Sequence, residues 1–518
     1  MTNKRPTSPP VMNTKQPNVL FITTDEHHWK CMGYNHPGIK TPNLDKLAAQ
    51  GTIFDRAYCP NPTCSPTRSS LITGLYPSQH GCYTLGTKLP ESVPTLGEYF
   101  QKEGYRTSLY GKAHFQPLRG NQEFPSYETP DHFGDREFWD NWQGDFYGFD
   151  TFETTRNHTS EAWVGPHYRF WLEDKGYTNW KDWYIPTAGT YDQGTQVDGI
   201  WPIPEEAHYN TWLSERVCKK LQEHKDADEN FFLWASFPDP HTPYAVPEPW
   251  ASMYKEEDII REYVVPGEHD KNPLPHQTTQ DPKGDFRQWT ISGMGNHGYG
   301  PQTFSQTEDF TKKIQTYYGM VSFTDHAIGQ ILDRLEELGL SDNTLIVFTT
   351  DHGHFLGKHG LGTKGAFHYE DLLKVPFIAK APEQTNPGSR TDNLISLVDL
   401  PQSFLGYCGL PVPKTMAGVD FSEMFKGDES PLRDHVLVQN RHEVDSIFLN
   451  TYVNDRYKLT VYFGQPHGEL WDLQEDPDEL HNRWDDPEYA ELKSDLLLKL
   501  SFAQMGKDPV PMPRLFGA

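Results

Sequence analysis

Cys64 opens the stretch Cys64-Ser65-Pro66-Thr67-Arg68, directly ahead of Ser69-Ser70-Leu71-Ile72-Thr73. Ser65 has the chemistry of an N-cap, and Pro66 suits a first helical turn. The spacing therefore predicts Cys64 at a helix N-terminus, where free N–H groups and the helix dipole favour an anion. Arg68, one turn on, carries a planar fork suited to oxyanion oxygens. The plain alternative is a buried thiol, or one paired with the nearby Cys59.

Two acidic pairs come next. Asp25-Glu26 and Asp351-His352 each follow an apolar run that ends in Thr-Thr-Asp. Four such groups meeting at one sheet edge would hold a hard cation through oxygen ligands. Either pair alone fits a cap or a turn, the commoner role of an Asp after a strand. Gly111-Lys112-Ala113-His114 adds a cation and an imidazole, although a lysine is most often simply solvated. In Pro238-Asp239-Pro240-His241 two prolines flank a histidine that could serve as a general acid. A loop histidine is more often a bystander. Lys364, in Gly362-Thr363-Lys364, could bind a leaving oxygen or could equally face solvent.

The elements that must position these residues are legible from pattern. The runs 18–24 and 344–350 read as strands buried on both faces, as in parallel sheets. Ahead of the second, Ile314, Tyr318, Val321, Ile328, Ile331, Leu332 and Leu335 fall at helical spacing, with Gly339 as the stop. Further helices are predicted over 43–50, 69–75 and 95–103, and further strands over 104–111 and 231–236. Ligands of such α/β sheets bind beyond the carboxyl ends of the strands, where Asp25 and Asp351 fall.

Residues 120–205 and 262–304 lack clear periodicity and read as insertions, of the kind that form lids or binding loops. The first is rich in aromatics: Trp139, Trp142, Phe146, Tyr147, Trp163, Phe170, Trp171, Trp180, Trp183 and Tyr184. These could stack on sugar or aryl rings, or pack the insertion onto the core. From about 430 the pattern changes to short strands at 436, 447, 458 and 469, followed by a helix over 490–501. The expected organisation is a flexible tail (1–16), a catalytic domain (17–428), a C-terminal α+β subdomain (429–502) and a second tail (503–518). That last tail is a candidate for docking on another subunit. The fold class is α/β: a large mixed, mostly parallel sheet sandwiched by helices, with a smaller α+β domain carrying an antiparallel sheet.

Composition limits the partners. The 518-residue chain carries 46 basic and 72 acidic residues, a formal net charge of −26. Such a surface repels phosphate backbones and anionic lipid, so neither nucleic acid nor membrane is an expected partner. An anionic substrate would need a local cluster of Lys, Arg and metal to reverse that field. No apolar run is long enough to span a bilayer. Six cysteines are not a disulfide framework, and the N-terminus has no apolar leader pattern, so a cytoplasmic location is expected. A periplasmic or secreted one would follow if a leader had been removed.

In their order along the chain, these segments resemble the formylglycine-dependent sulfatase family of the alkaline-phosphatase superfamily. The resemblance runs from Asn18 to about Asn482, outside the two insertions. It is carried by 39–47, Cys64 to Arg68, Gly74-Leu75-Tyr76-Pro77, His80-Gly81, Gly111 to His114, His241-Thr242-Pro243-Tyr244, Thr350 to Gly353 and 470–477. It implies a sulfuric-ester hydrolase in which a maturation enzyme oxidises Cys64 to formylglycine. The hydrated aldehyde attacks sulfur, and His241 and Lys364 assist the leaving oxygen. His114 then takes the proton that lets sulfate leave. Arg68 and Lys112 stabilise the nucleophile and the sulfuryl oxygens. Asp25, Glu26, Asp351, His352 and the matured Cys64 would hold Ca²⁺, with Mn²⁺ an option because His352 offers nitrogen. Lys112, His241, Lys364 and His354 would bind substrate, a carbohydrate or aryl sulfate. Two rivals are a phosphonate monoester or phosphodiester hydrolase using the same site, and a non-catalytic sulfated-glycan binder.

Overall fold

The computed structural model describes residues 16–129, 132, 134–142, 144–155, 165–184, 199–259, 264–290, 299–443 and 446–512. Trp163, most of the N-terminal tail and residues 513–518 lie outside these.

The core is an eight-stranded sheet. Five parallel strands form most of it, in the spatial order Thr344–Thr350, Asn18–Thr24, Phe231–Ser236, Arg106–Gly111, Thr151–Thr154. Ile378–Lys380 then runs antiparallel beside Thr344–Thr350 and leads to Thr52–Phe54 and Ser389–Thr391. The two apolar strands read from sequence are buried at all seven positions. Alternate side chains leave a strand on opposite faces. Val19, Phe21, Phe232, Trp234, Leu345 and Val347 therefore join one core, with Leu71 and Ile72, Leu96 and Phe100, and Phe404 from three helices. Leu20, Ile22, Leu233, Ile346 and Phe348 join the other, under helices Pro42–Gln50, Tyr209–Ala227 and Glu308–Glu337. Each fully buried side chain of this size contributes about 1.5–3 kcal/mol.

Register decides where the chemistry sits. Thr24 pairs with Thr350, Thr23 with Ser236, and Ser236 with Gly111. The carboxyl ends of four adjacent strands are thus level, and Asp25, Asp351 and Lys112 emerge side by side. Gly111 is required at its place: it has φ 98°, and a Cβ there would meet the Ser236 carbonyl oxygen at 2.0 Å. The 30-residue helix Glu308–Glu337 is capped by the Thr307 side chain and followed by Gly339 at φ 64°, the stop read from sequence.

The segment 120–205 needs correction. It supplies Thr151–Thr154, the edge strand of the main sheet, and helices Arg136–Asn141 and Pro166–Asp174. Its aromatics pack: all nine described members lie in the two main cores or against them. The C-terminal sheet is antiparallel throughout, from Val436–Glu443 to Gly468–Asp472. One face takes Leu496, Leu500 and Ala503 of helix Ala490–Gly506, which takes up the first four residues of the expected tail. The other face, through Leu449 and Trp471, meets Phe355, Phe367 and Tyr369. That contact braces the loop that carries Lys364.

Candidate active site

Cys64 begins helix Cys64–Thr73, every residue of which is buried. The N-cap position belongs to Thr63, not Ser65, two residues earlier than expected; the Ser65 hydroxyl is buried without a hydrogen-bond partner. Cys64 keeps the helix N-terminal place. Cys59 and Cys64 both carry free thiols, so Cys64 is not paired with Cys59.

Three segments converge on the Cys64 sulfur. Asp25 Oδ1 lies 3.5 Å away, His352 Nε2 3.2 Å and Lys364 Nζ 3.2 Å. One ligand atom each from Asp25, Cys64, Asp351 and His352 falls within 4.8 Å of the others. The Lys112 ammonium pairs with Asp25 Oδ2. Glu26 sits at the rim of this group. Its Oε2 meets Lys364 Nζ at 2.9 Å and His241 Nε2 at 3.2 Å, while its Oε1 is buried without a hydrogen bond. His241 Nε2 and Lys364 Nζ are 2.8 Å apart. His354 stands behind Glu26, its Nε2 2.7 Å from the Tyr244 hydroxyl. His114 follows Lys112 by two residues at the same edge.

Arg68 is placed differently from its expected oxyanion role. Its fork is fully buried and donates to Asp351 Oδ2 (2.8 Å), the Lys112 carbonyl (2.9 Å), Ser236 Oγ (2.8 Å) and the Thr24 carbonyl (3.4 Å). It ties the four strand ends together and fixes Asp351. Removing one partner of such a buried pair costs about 3–5 kcal/mol.

Residues 17–410 match the sulfatase family, and residues 357–505 match the family described as N-sulphoglucosamine sulphohydrolase, C-terminal. The chain belongs to the sulfatase family. It is a hydrolase of sulfate esters within the alkaline-phosphatase superfamily. It is 26% identical to an arylsulfatase of Clostridium perfringens, over 95% of this chain and 94% of that one. It is 24% identical to the N-acetylglucosamine-6-O-sulfatase of Bacteroides thetaiotaomicron, over 96% and 88%. In structure it resembles the phosphonate monoester hydrolase of Silicibacter pomeroyi, with TM-score 0.76 and 22% identity over 95% and 96% of the two chains.

The electrostatics suit a sulfatase. Three carboxylates (Asp25, Glu26, Asp351) face three cations (Arg68, Lys112, Lys364), a local balance in a chain of net charge −26. Burial alone would push the Asp25 carboxyl up, but Lys112, His241, Arg68 and Lys364 hold it well below the usual carboxylate range. Burial raises Glu26, and Lys364 and His352 only partly oppose this. Burial pushes the Cys64 thiol up to about 12, with Asp25 adding to the rise. The same desolvation lowers His352 and, further, His354, which keeps both imidazoles neutral. Lys364 goes the other way: burial opposes its charge, but Cys64, Glu26, Asp25 and Asp351 raise it.

The family implies a metal ion and a formylglycine, and the residues present fit a metal. Two carboxylates and a neutral imidazole converge, and a buried carboxylate oxygen of Glu26 beside them makes no hydrogen bond.

Sequence reasoning missed Tyr317. Its hydroxyl accepts the His28 N–H and donates to the Glu26 carbonyl, both at 2.9 Å. It thereby holds Glu26, a non-glycine at φ 60°, in its left-handed conformation. Tyr317 adjoins Tyr318 in the helix pattern, but nothing in a period of 3.6 says which hydroxyl reaches a loop 291 residues away.

Proposed function

We propose that this sulfatase cleaves a sulfate monoester of a carbohydrate or aryl alcohol, with Cys64 matured to formylglycine and Ca²⁺ held by Asp25, Glu26, Asp351 and His352. The observation that carries this is the convergence of Asp25, His352 and Lys364 on Cys64 Sγ within 3.5 Å. The Cys64 side chain marks where the nucleophilic hydroxyl of the matured residue would stand. When bound, the cation would supply Lewis-acid polarisation of the reacting oxygens.

The chain's own residues do the rest. Lys112 and Lys364 present positive charge to the sulfuryl oxygens. Lys364 and His241, in contact with each other beside Cys64, are placed to donate a proton to the leaving alcohol oxygen. His114 serves as the base that clears the site for the next turnover. Arg68 holds Asp351 and balances its charge. Cys64 is 1% exposed, so the maturation enzyme would have to reach it before the chain closes.

Two named relatives, one acting on aryl sulfates and one on a 6-O-sulfated N-acetylglucosamine, support the substrate classes. The test is a panel of sulfated sugars and aryl sulfates, with an aryl phosphonate ester beside them, assayed on enzyme whose Cys64 peptide shows the aldehyde by mass spectrometry. A higher kcat/KM on the phosphonate ester than on every sulfate would overturn the preference.

A further inference from the structure

Glu128 is 2% exposed and lies in the segment that sequence pattern treats as an insertion. Its carboxylate accepts three consecutive backbone N–H groups. Oε2 takes that of His114 at 2.8 Å, and Oε1 takes those of Phe115 at 2.9 Å and Gln116 at 3.0 Å. The first donor belongs to a non-glycine residue at φ 61°. Successive N–H groups turned to one side by a left-handed residue make a concave anion receptor, here filled by the chain's own side chain. Charge-assisted bonds are about twice as strong as neutral ones, so three of them offset the strain in the left-handed residue.

The carboxylate is itself held. The Glu128 N–H donates to Ser126 Oγ (3.1 Å), which donates to the Pro117 carbonyl (2.8 Å). The Tyr127 N–H donates to Gln116 Oε1 at 2.7 Å. On the other side, Arg68 and Ser236 both donate to the Lys112 carbonyl. The short path from Lys112 to Gln116 is clamped at both ends, with Ala113 and Phe115 buried between. His114 is the one imidazole on it.

We propose that Glu128 is a positioning residue for His114: it holds the backbone that aims the imidazole at the catalytic centre. The proposal rests on the proton-transfer role of His114 given above. In Glu128→Gln the amide NH₂ replaces one acceptor and faces an N–H group.

A double-mutant cycle on matured enzyme tests this, with kcat and KM for an aryl sulfate and the melting temperature measured for each variant. Glu128→Gln is expected to lose 10- to 100-fold in kcat with KM within twofold. Glu128→Asp should recover part of that loss. The double variant with His114→Ala should be no slower than His114→Ala alone, because a residue acting through His114 has nothing left to position. Losses that multiply, or a Glu128→Gln rate equal to wild type, overturn the proposal. If Glu128→Gln does not fold, the same cycle is run with Glu128→Asp. His114→Ala at the wild-type rate would sink the underlying role instead, a result distinct from a failed cycle.

Discussion

Two regions of this sulfatase bury charge, and they do so to different ends. In the C-terminal sheet, Lys458 is fully buried between Glu479 and Glu370, the latter 3.4 Å away. Nearby, buried Glu469 accepts from Trp471 Nε1 at 3.2 Å and meets His276 Nε2 at 3.3 Å. Each charge there closes on a neighbour across the sheet or from the loop packed on it. At the carboxyl edge of the main sheet, by contrast, Asp25, His352 and Lys364 meet at one sulfur at the start of a helix. A buried ion is therefore not a site in itself. What marks a site is several buried charges sharing one reactive atom that none of them neutralises.

The sharpest break of that comparison is Cys64→Ala. Turnover should fall by more than about 10³-fold with the melting temperature little changed, because the pairs around it still close. Measured activity near wild type would mean another nucleophile. In the C-terminal sheet the effect should be the reverse. Lys458→Met leaves the buried Glu479 carboxylate facing the partly buried Glu370 and should cost about 3–5 kcal/mol in urea unfolding, with kcat per folded molecule unchanged. A kcat loss out of proportion to unfolding would join the two regions that the comparison separates.

Metal removal comes next. Chelation should lower the rate by roughly 10²-fold or more, and Ca²⁺ or Mn²⁺ should restore it. Indifference to the chelator would count against the Asp25, Glu26, Asp351 and His352 assignment.

The smallest effect is on acid stability. Burial would raise the Glu469 carboxyl, but His276 and Tyr462 bring it down to about 2. A carboxyl lowered in the folded state stabilises above its unfolded value near 4.5, and that contribution is lost as pH falls. Between pH 4.5 and 3 the loss should be on the order of 2 kcal/mol. The melting temperature of wild type should therefore drop more steeply across that window than that of Glu469→Gln. Equal slopes would show that the pair carries no such linkage.

Much of the frame was legible because its signals are local. Seven-residue apolar runs rich in β-branched residues read as strands buried on both faces, and the helix over 308–337 declares itself by period and stop. The segment around 151–154 hid its edge strand because four residues of alternating burial leave almost no pattern. Ser65 looked like a cap because a hydroxyl ahead of Pro66 fits one; the helix starts two residues earlier, and Thr63 takes the position. Arg68 was read as an oxyanion fork from its spacing to Cys64. Its direction depends on four partners, from Thr24 to Asp351, that no spacing encodes.

By itself the sequence determined which residue types this sulfatase can bring to its chemistry and on which strand ends and helix starts they ride. Backbone propensity and hydrophobic period act over a few residues, so they are written locally. Only the tertiary structure decided that Thr24, Ser236, Thr350 and Gly111 end level, that Glu26 is turned by Tyr317, and that Glu128 receives the three N–H groups around His114. Strand register and buried hydrogen bonds join residues hundreds of positions apart, and their geometry exists only once the sheet has closed.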